Sequence, residues 1–125
     1  MKALIARRPD PIKRVFGASH GTPWLYEIRV GTDGIMTAGA MYAEVYERLW
    51  NLHLQNKLEE KREVFSKLLL IQAVDRSIPG ARLHILRKRK VFKTMVSREA
   101  EYNLTPDEIA EIEYRFEALK PYLKV

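Results

Sequence analysis

Two stretches decide the fold: Arg14-Val15-Phe16-Gly17-Ala18-Ser19-His20-Gly21, and Arg29-Val30-Gly31-Thr32-Asp33-Gly34-Ile35-Met36-Thr37. In the first, the apolar run from Ile12 to Phe16 stops at Gly17; in the second, Gly34 to Thr37 forms a similar run that stops near Gly39. Short runs bounded by glycine predict strands. Between them, Thr22 offers a hydroxyl N-cap, Pro23 suits a first helical position, and Gly31 suits the left-handed residue that ends a helix. The expected unit is therefore strand, helix, strand. A crossover of this kind joins parallel strands and lays its helix on one face of the sheet.

After Met41 the period becomes helical. Tyr42, Val45, Tyr46, Leu49, Trp50 and His53 form one stripe, and Asn56 is a plausible break. Val64, Phe65, Leu68, Leu69 and Gln72 repeat the spacing in a second long helix, which Pro79-Gly80 ends. A third helix carries Leu83 and Leu86 among basic residues. Thr105-Pro106-Asp107-Glu108 opens a fourth with a capping box and an N1 proline, and Ile109, Ile112, Phe116 and Leu119 supply its buried face.

The chain has 125 residues, 46% of them hydrophobic and 30% charged, which predicts a single folded domain rather than a disordered segment. No apolar run approaches the roughly 18 residues of a membrane span, and the first residues are too weakly apolar for a signal peptide, so a cytoplasmic location is expected. There is no cysteine, which removes disulfides, thiolate nucleophiles and cysteine metal sites. Only three histidines are present, and no metal or other cofactor is expected.

The net charge of +6 is unevenly placed. Residues 82 to 98 hold seven cations and no acid, while the rest of the chain has 15 cations against 16 acids. Arg87, Lys88, Arg89, Lys90 and Lys93 are the candidate anion or nucleic-acid patch, with Phe92 as a possible stacking ring. Seven acids against three bases follow from Glu99 onward. An acidic helix folded against a basic one would neutralise part of that patch, which argues against nucleic acid as partner.

Other sharp readings yield to simpler ones. Lys13 stands just before an apolar strand run and is given no catalytic role. Ser19-His20 are adjacent, point apart and fit a turn better than a nucleophile and base. His53 has no metal-binding partner at the right spacing on its face. Gly31-x-x-Gly34 leads into a strand rather than a phosphate-binding helix. Tyr42, Tyr46 and Trp50 read as core or interface.

Taken in order, Arg14 to Gly21, Arg29 to Thr37 and Glu44-Val45 at the start of a long helix resemble one family, the dihydrodipicolinate synthase and N-acetylneuraminate lyase group of Schiff-base aldolases. Ile78-Pro79-Gly80-Ala81-Arg82-Leu83, Leu86-Arg87-Lys88-Arg89, Arg98 and Leu104-Thr105-Pro106-Asp107-Glu108 are similar to that family's last helices. This chain departs from the pattern in lacking a proline before Glu44, in having Asn56 where glycine is usual, and in having Glu99-Ala100 where a proline commonly follows the arginine.

The resemblance implies an α/β fold: the C-terminal portion of a (β/α)8 TIM barrel, mostly helical when taken alone. Residues 12-55 would be the last two βα units and 57-125 a C-terminal extension of three helices, together a single partial domain over 1-125. It further implies that the family's imine-forming lysine on the sixth strand and proton-passing tyrosine on the fifth precede Met1, as does a Gly-Thr-Thr-Gly-Glu-like carboxylate-binding segment. No catalytic residue is then expected here. Gly17, Ala18, Ser19, Thr37, Ala38 and Gly39 would survive as a vestigial wall of the substrate pocket, since strand C-terminal ends line it. Such a fragment or degenerate member would not process a 2-keto acid alone. It would associate as a homo-oligomer, or with a complementing barrel chain as half of a split lyase, and bind keto acid only in a completed barrel.

Overall fold

The structure, a computed structural model, describes residues 1–124. The chain is mostly helical, with a small parallel sheet, and falls into two compact units, Met1–Ala40 and the residues from Met41 onward.

The first unit holds helix α1 (Lys2–Ala6), strand β1 (Phe16–Gly17), a 3-10 turn (Ser19–Gly21), helix α2 (Trp24–Arg29) and strand β2 (Gly34–Ile35). The strands pair in parallel, with Phe16 opposite Gly34 and Gly17 opposite Ile35. The strand–helix–strand order is as expected, but both strands are shorter than the apolar runs that announce them. With one partner each, they form a ladder only where the two chains run alongside. Pro23 takes the cap position of α2 instead of its first turn, so the expected cap at Thr22 is displaced by one residue. Gly31 does adopt the left-handed conformation just past α2, at φ +95°. Helix α1 has no forerunner in the apolar pattern, and none of its residues is buried.

The second unit consists of α3 (Ala43–Leu54), α4 (Leu58–Ser77), α5 (Ala81–Lys88) and α6 (Pro106–Glu117), followed by a 3-10 turn (Lys120–Tyr122). Helix α4 packs against the other three. Its core includes Val45, Leu49, Leu68, Ile71, Ile85, Ile112 and Leu119, all fully buried. Asn56 breaks α3 from α4 in the left-handed conformation at φ +56°, which asparagine tolerates well. The Thr105 cap is complete: its hydroxyl accepts from the Glu108 amide at 3.3 Å, and the Glu108 carboxylate accepts from the Thr105 amide at 2.8 Å. The buried face of α5 is Ala81, His84 and Ile85, with Leu83 and Leu86 only partly covered.

No helix among the described residues is long and apolar enough to cross a membrane.

Candidate functional site

The strand end in the first unit is fixed by Asp33. The Asp33 amide donates to the Val15 carbonyl at 2.8 Å, and the Val15 amide donates back to the Asp33 carboxylate at 2.8 Å. Arg8 and Arg14 donate to the same carboxylate at 2.8 and 3.1 Å. The Val15 amide, with the two arginines, holds the Asp33 carboxyl below the usual range. One acid thus sets the level at which β1 and β2 start, and the Met36 amide closes the other end on the Gly17 carbonyl at 2.8 Å.

Two glycines decide what lies on each face of this sheet. A Cβ on Gly17 would fall 2.0 Å from Glu27 Oε2, so the side-chain direction of Gly17 runs into α2. Glu27 itself is buried, and its Oε2 makes no hydrogen bond. On the opposite face a Cβ on Gly34 would come 2.9 Å from the Phe16 ring. Phe16 and Met36 on that face are 56% and 72% exposed. One face is therefore covered by α2 and the other is open and apolar.

The residues expected to line a pocket lie around these strand ends. Gly17 is buried toward α2, Ala18 and Ala38 are exposed, and Gly39 is buried. The Thr37 hydroxyl accepts from the Gly39 amide at 3.0 Å. Ser19 opens the 3-10 turn; its side chain is outside the described set. His20 sits in that turn at φ +56°, a turn residue as the simpler reading has it. Phe16, Met36 and Glu27 are not among the pocket-wall residues that the motifs predict. The alternation of the strand could have flagged the first two, because residues two apart share a face.

In the second unit, the basic segment is divided between paired and unpaired cations. Arg89 binds Glu44 and the Met41 carbonyl, and this contact, against a smaller desolvation cost, keeps the Glu44 carboxyl low. Lys88 binds Glu113, and His84 Nε2 lies 2.8 Å from the same carboxylate. Partial burial works against the Glu113 carboxylate, but Lys88 and His84 outweigh it and hold its pKa below normal. The acidic last helix does fold against the basic one. Arg87, Lys90 and Lys93 have no ion pair among the described residues, and Phe92 is 46% exposed.

Other polar groups are structural. Arg82 donates to both Asp75 oxygens at 2.8 and 2.9 Å. The Gln72 amide donates to the Tyr46 hydroxyl. Lys61 Nζ lies 3.3 Å from His53 Nδ1, and burial, then the Lys61 charge, lowers the His53 pKa, which favours the neutral ring. Burial pushes the Tyr42 phenol well above its ordinary value. No three histidine or acidic side chains among the described residues gather to hold a metal.

Against known structures, dihydrodipicolinate synthase from Rhodopseudomonas palustris matches 94% of this chain with a TM-score of 0.78 at 19% sequence identity. The fold is that of part of a dihydrodipicolinate synthase. The match takes in 41% of that protein, so the chain spans less than half its length. No family model matches the sequence, and no curated protein does.

Proposed function

We propose that this chain forms the last two βα units and the terminal helices of a Schiff-base lyase barrel, and that these 125 residues do not form or cleave a carbon–carbon bond unaided. The observation that carries the reading is the first unit's sheet. It has two parallel strands, one face under α2, and an open face bearing Phe16 and Met36. All-parallel sheets are otherwise found with both faces covered. Further βα units, on the same polypeptide or another, would cover that face and pair both strand edges.

The chemistry supports the division of labour. An imine forms when an uncharged lysine amine attacks the keto carbon and water leaves; the protonated imine then accepts the electron pair of the bond that breaks beside it. That lysine must sit desolvated at a strand end facing the pocket. Lys13, the one lysine near these strands, is exposed and precedes β1. In the completed barrel Ala18, Ser19, Thr37, Ala38 and Gly39 would contribute backbone and small side chains to the pocket wall, with Gly17 keeping α2 close behind it.

Borohydride trapping with pyruvate, read by intact-mass spectrometry, tests the proposal. No adduct is expected on the 125-residue chain. A stoichiometric adduct on Lys13 or any other lysine would overturn it. Light scattering addresses the open face, which predicts association, as a homo-oligomer or with a complementing chain; a stable monomer at micromolar concentration would count against that part.

A further inference from the structure

We infer that the second unit carries a binding cleft for a small organic anion at the end of α5. The cleft encloses about 300 Å³, at the lower end of ligand-pocket sizes. Lys88, Arg89 and Lys90 form one side; Lys120 and Lys124 reach in from the segment after α6. Phe116 and Leu123 supply an apolar wall, and among the described residues no acidic side chain lines the cleft. The described side chains that line it are cations and hydrocarbon. This composition suits a carboxylate or phosphate joined to a flat or aliphatic body.

The surrounding acids act as supports. Glu113 holds Lys88, Glu44 holds Arg89, Glu117 accepts from Lys120 at 2.8 Å and Glu47 from Lys124 at 2.9 Å. Each of these carboxylates stands outside the lining and holds one of its cations in place. Lys88 Nζ also lies 5.7 Å from the centre of the Phe116 ring, bringing charge and apolar surface together.

Lys90 sets the cleft apart from an ordinary basic surface. It has no ion pair among the described residues and adopts φ +59° just past the end of α5. Its amide donates to the Arg87 carbonyl at 2.9 Å, and the Val91 amide to the Leu86 carbonyl at 2.9 Å, a helix-ending turn in which glycine is the favoured occupant. A lysine here accepts backbone strain and places an unpaired cation at the cleft. Such strain is often retained where a side chain has a function.

The test uses the full chain and titrates benzoate, following the Phe116 ring and Leu123 methyl signals by NMR, with benzamide as the uncharged counterpart. Benzoate is expected to shift these signals and benzamide to bind at least about tenfold more weakly, the loss of a charge-assisted contact. Lys90→Gly removes the cation and relieves the strain; it should melt no lower than the parent and bind benzoate about tenfold more weakly. Lys90→Gln, which keeps the strain and loses the charge, should bind as weakly as Lys90→Gly. Equal binding of benzoate and benzamide, or unchanged binding by both variants, would overturn the assignment. So would inorganic sulfate matching benzoate, since the apolar wall would then play no part. A single-stranded oligonucleotide shifting the same signals where benzoate shifts none would assign the cleft to nucleic acid instead.

Discussion

The two units solve the burial problem on different terms. In the second, four helices close on one another over Leu49, Leu68, Ile71, Ile85 and Ile112, all fully buried. In the first, the ordering groups are an acid that ties two strand starts together and two glycines that permit close approach, while Phe16 and Met36 remain open to solvent. A unit that closes its own apolar surface can be stable alone; one that leaves a sheet face open depends on something else to cover it. The contrast is between a helical core closed by its own side chains and a small sheet whose apolar face at Phe16 and Met36 is exposed.

Truncating each region in turn should expose the difference. Leu68→Ala, in the fully buried centre of α4, should destabilise the second unit by about 2–5 kcal/mol in urea unfolding followed by circular dichroism. Phe16→Ala should stay within about 0.5 kcal/mol in the same assay at dilutions where light scattering finds the chain monomeric, because its ring is already more than half exposed in the single chain. A Phe16 loss as large as the Leu68 loss would mean that the open face is closed in solution and would break the comparison.

The glycine contact gives a smaller effect confined to the first unit. Gly17→Ala forces a methyl into the Glu27 carboxylate and should cost about 1–3 kcal/mol. Pairing it with Glu27→Ala should recover most of that loss in a double-mutant cycle. If the two losses simply add, the close approach of α2 to β1 is not what limits this position.

Capping lies lower on the scale. Thr105→Ala should cost about 1 kcal/mol, visible as faster amide exchange in the first turn of α6.

The subtlest prediction concerns pH. The folded-state pKa of Asp33 is lowered, so its contribution is fully present above the unfolded value of about 3.9 and is lost as pH falls through the lower folded value. Protection of the Val15 amide should fade over that acidic window, and Asp33→Asn should remove the pH dependence. The His53 shift has the opposite origin: its neutral form is favoured in the fold, so stability falls as pH drops below about 6.5 toward the lowered folded value.

The helical unit was largely readable because its signals are local. The stripe from Tyr42 to His53, the break at Asn56 and the Thr105-to-Glu108 box each depend on residues within a few positions of one another. The third helix is less legible: its spacing names no buried face, and Ala81, His84 and Ile85 are covered by partners distant in sequence. Strand lengths were overestimated for a related reason, since an apolar run shows what can pair and not how far a partner runs beside it. The clamp at Asp33 and the unpaired Lys90 left no trace in spacing. They depend on Arg8, Arg14 and Val15 in one case, and on a backbone angle in the other.

The arrangement around α4 bears on the order in which the molecule assembles. Its contacts with α3 and α5 join neighbours in sequence, with Gln55, Asn56 and Lys57 alone separating α3 from α4. Contacts of such short range close quickly, because little loop entropy is lost before they form. The helical unit should therefore condense first. Protection of α3 and α4 amides in pulse-labelling exchange should precede that of the Asp33 and Met36 amides, which bridge the parallel strands.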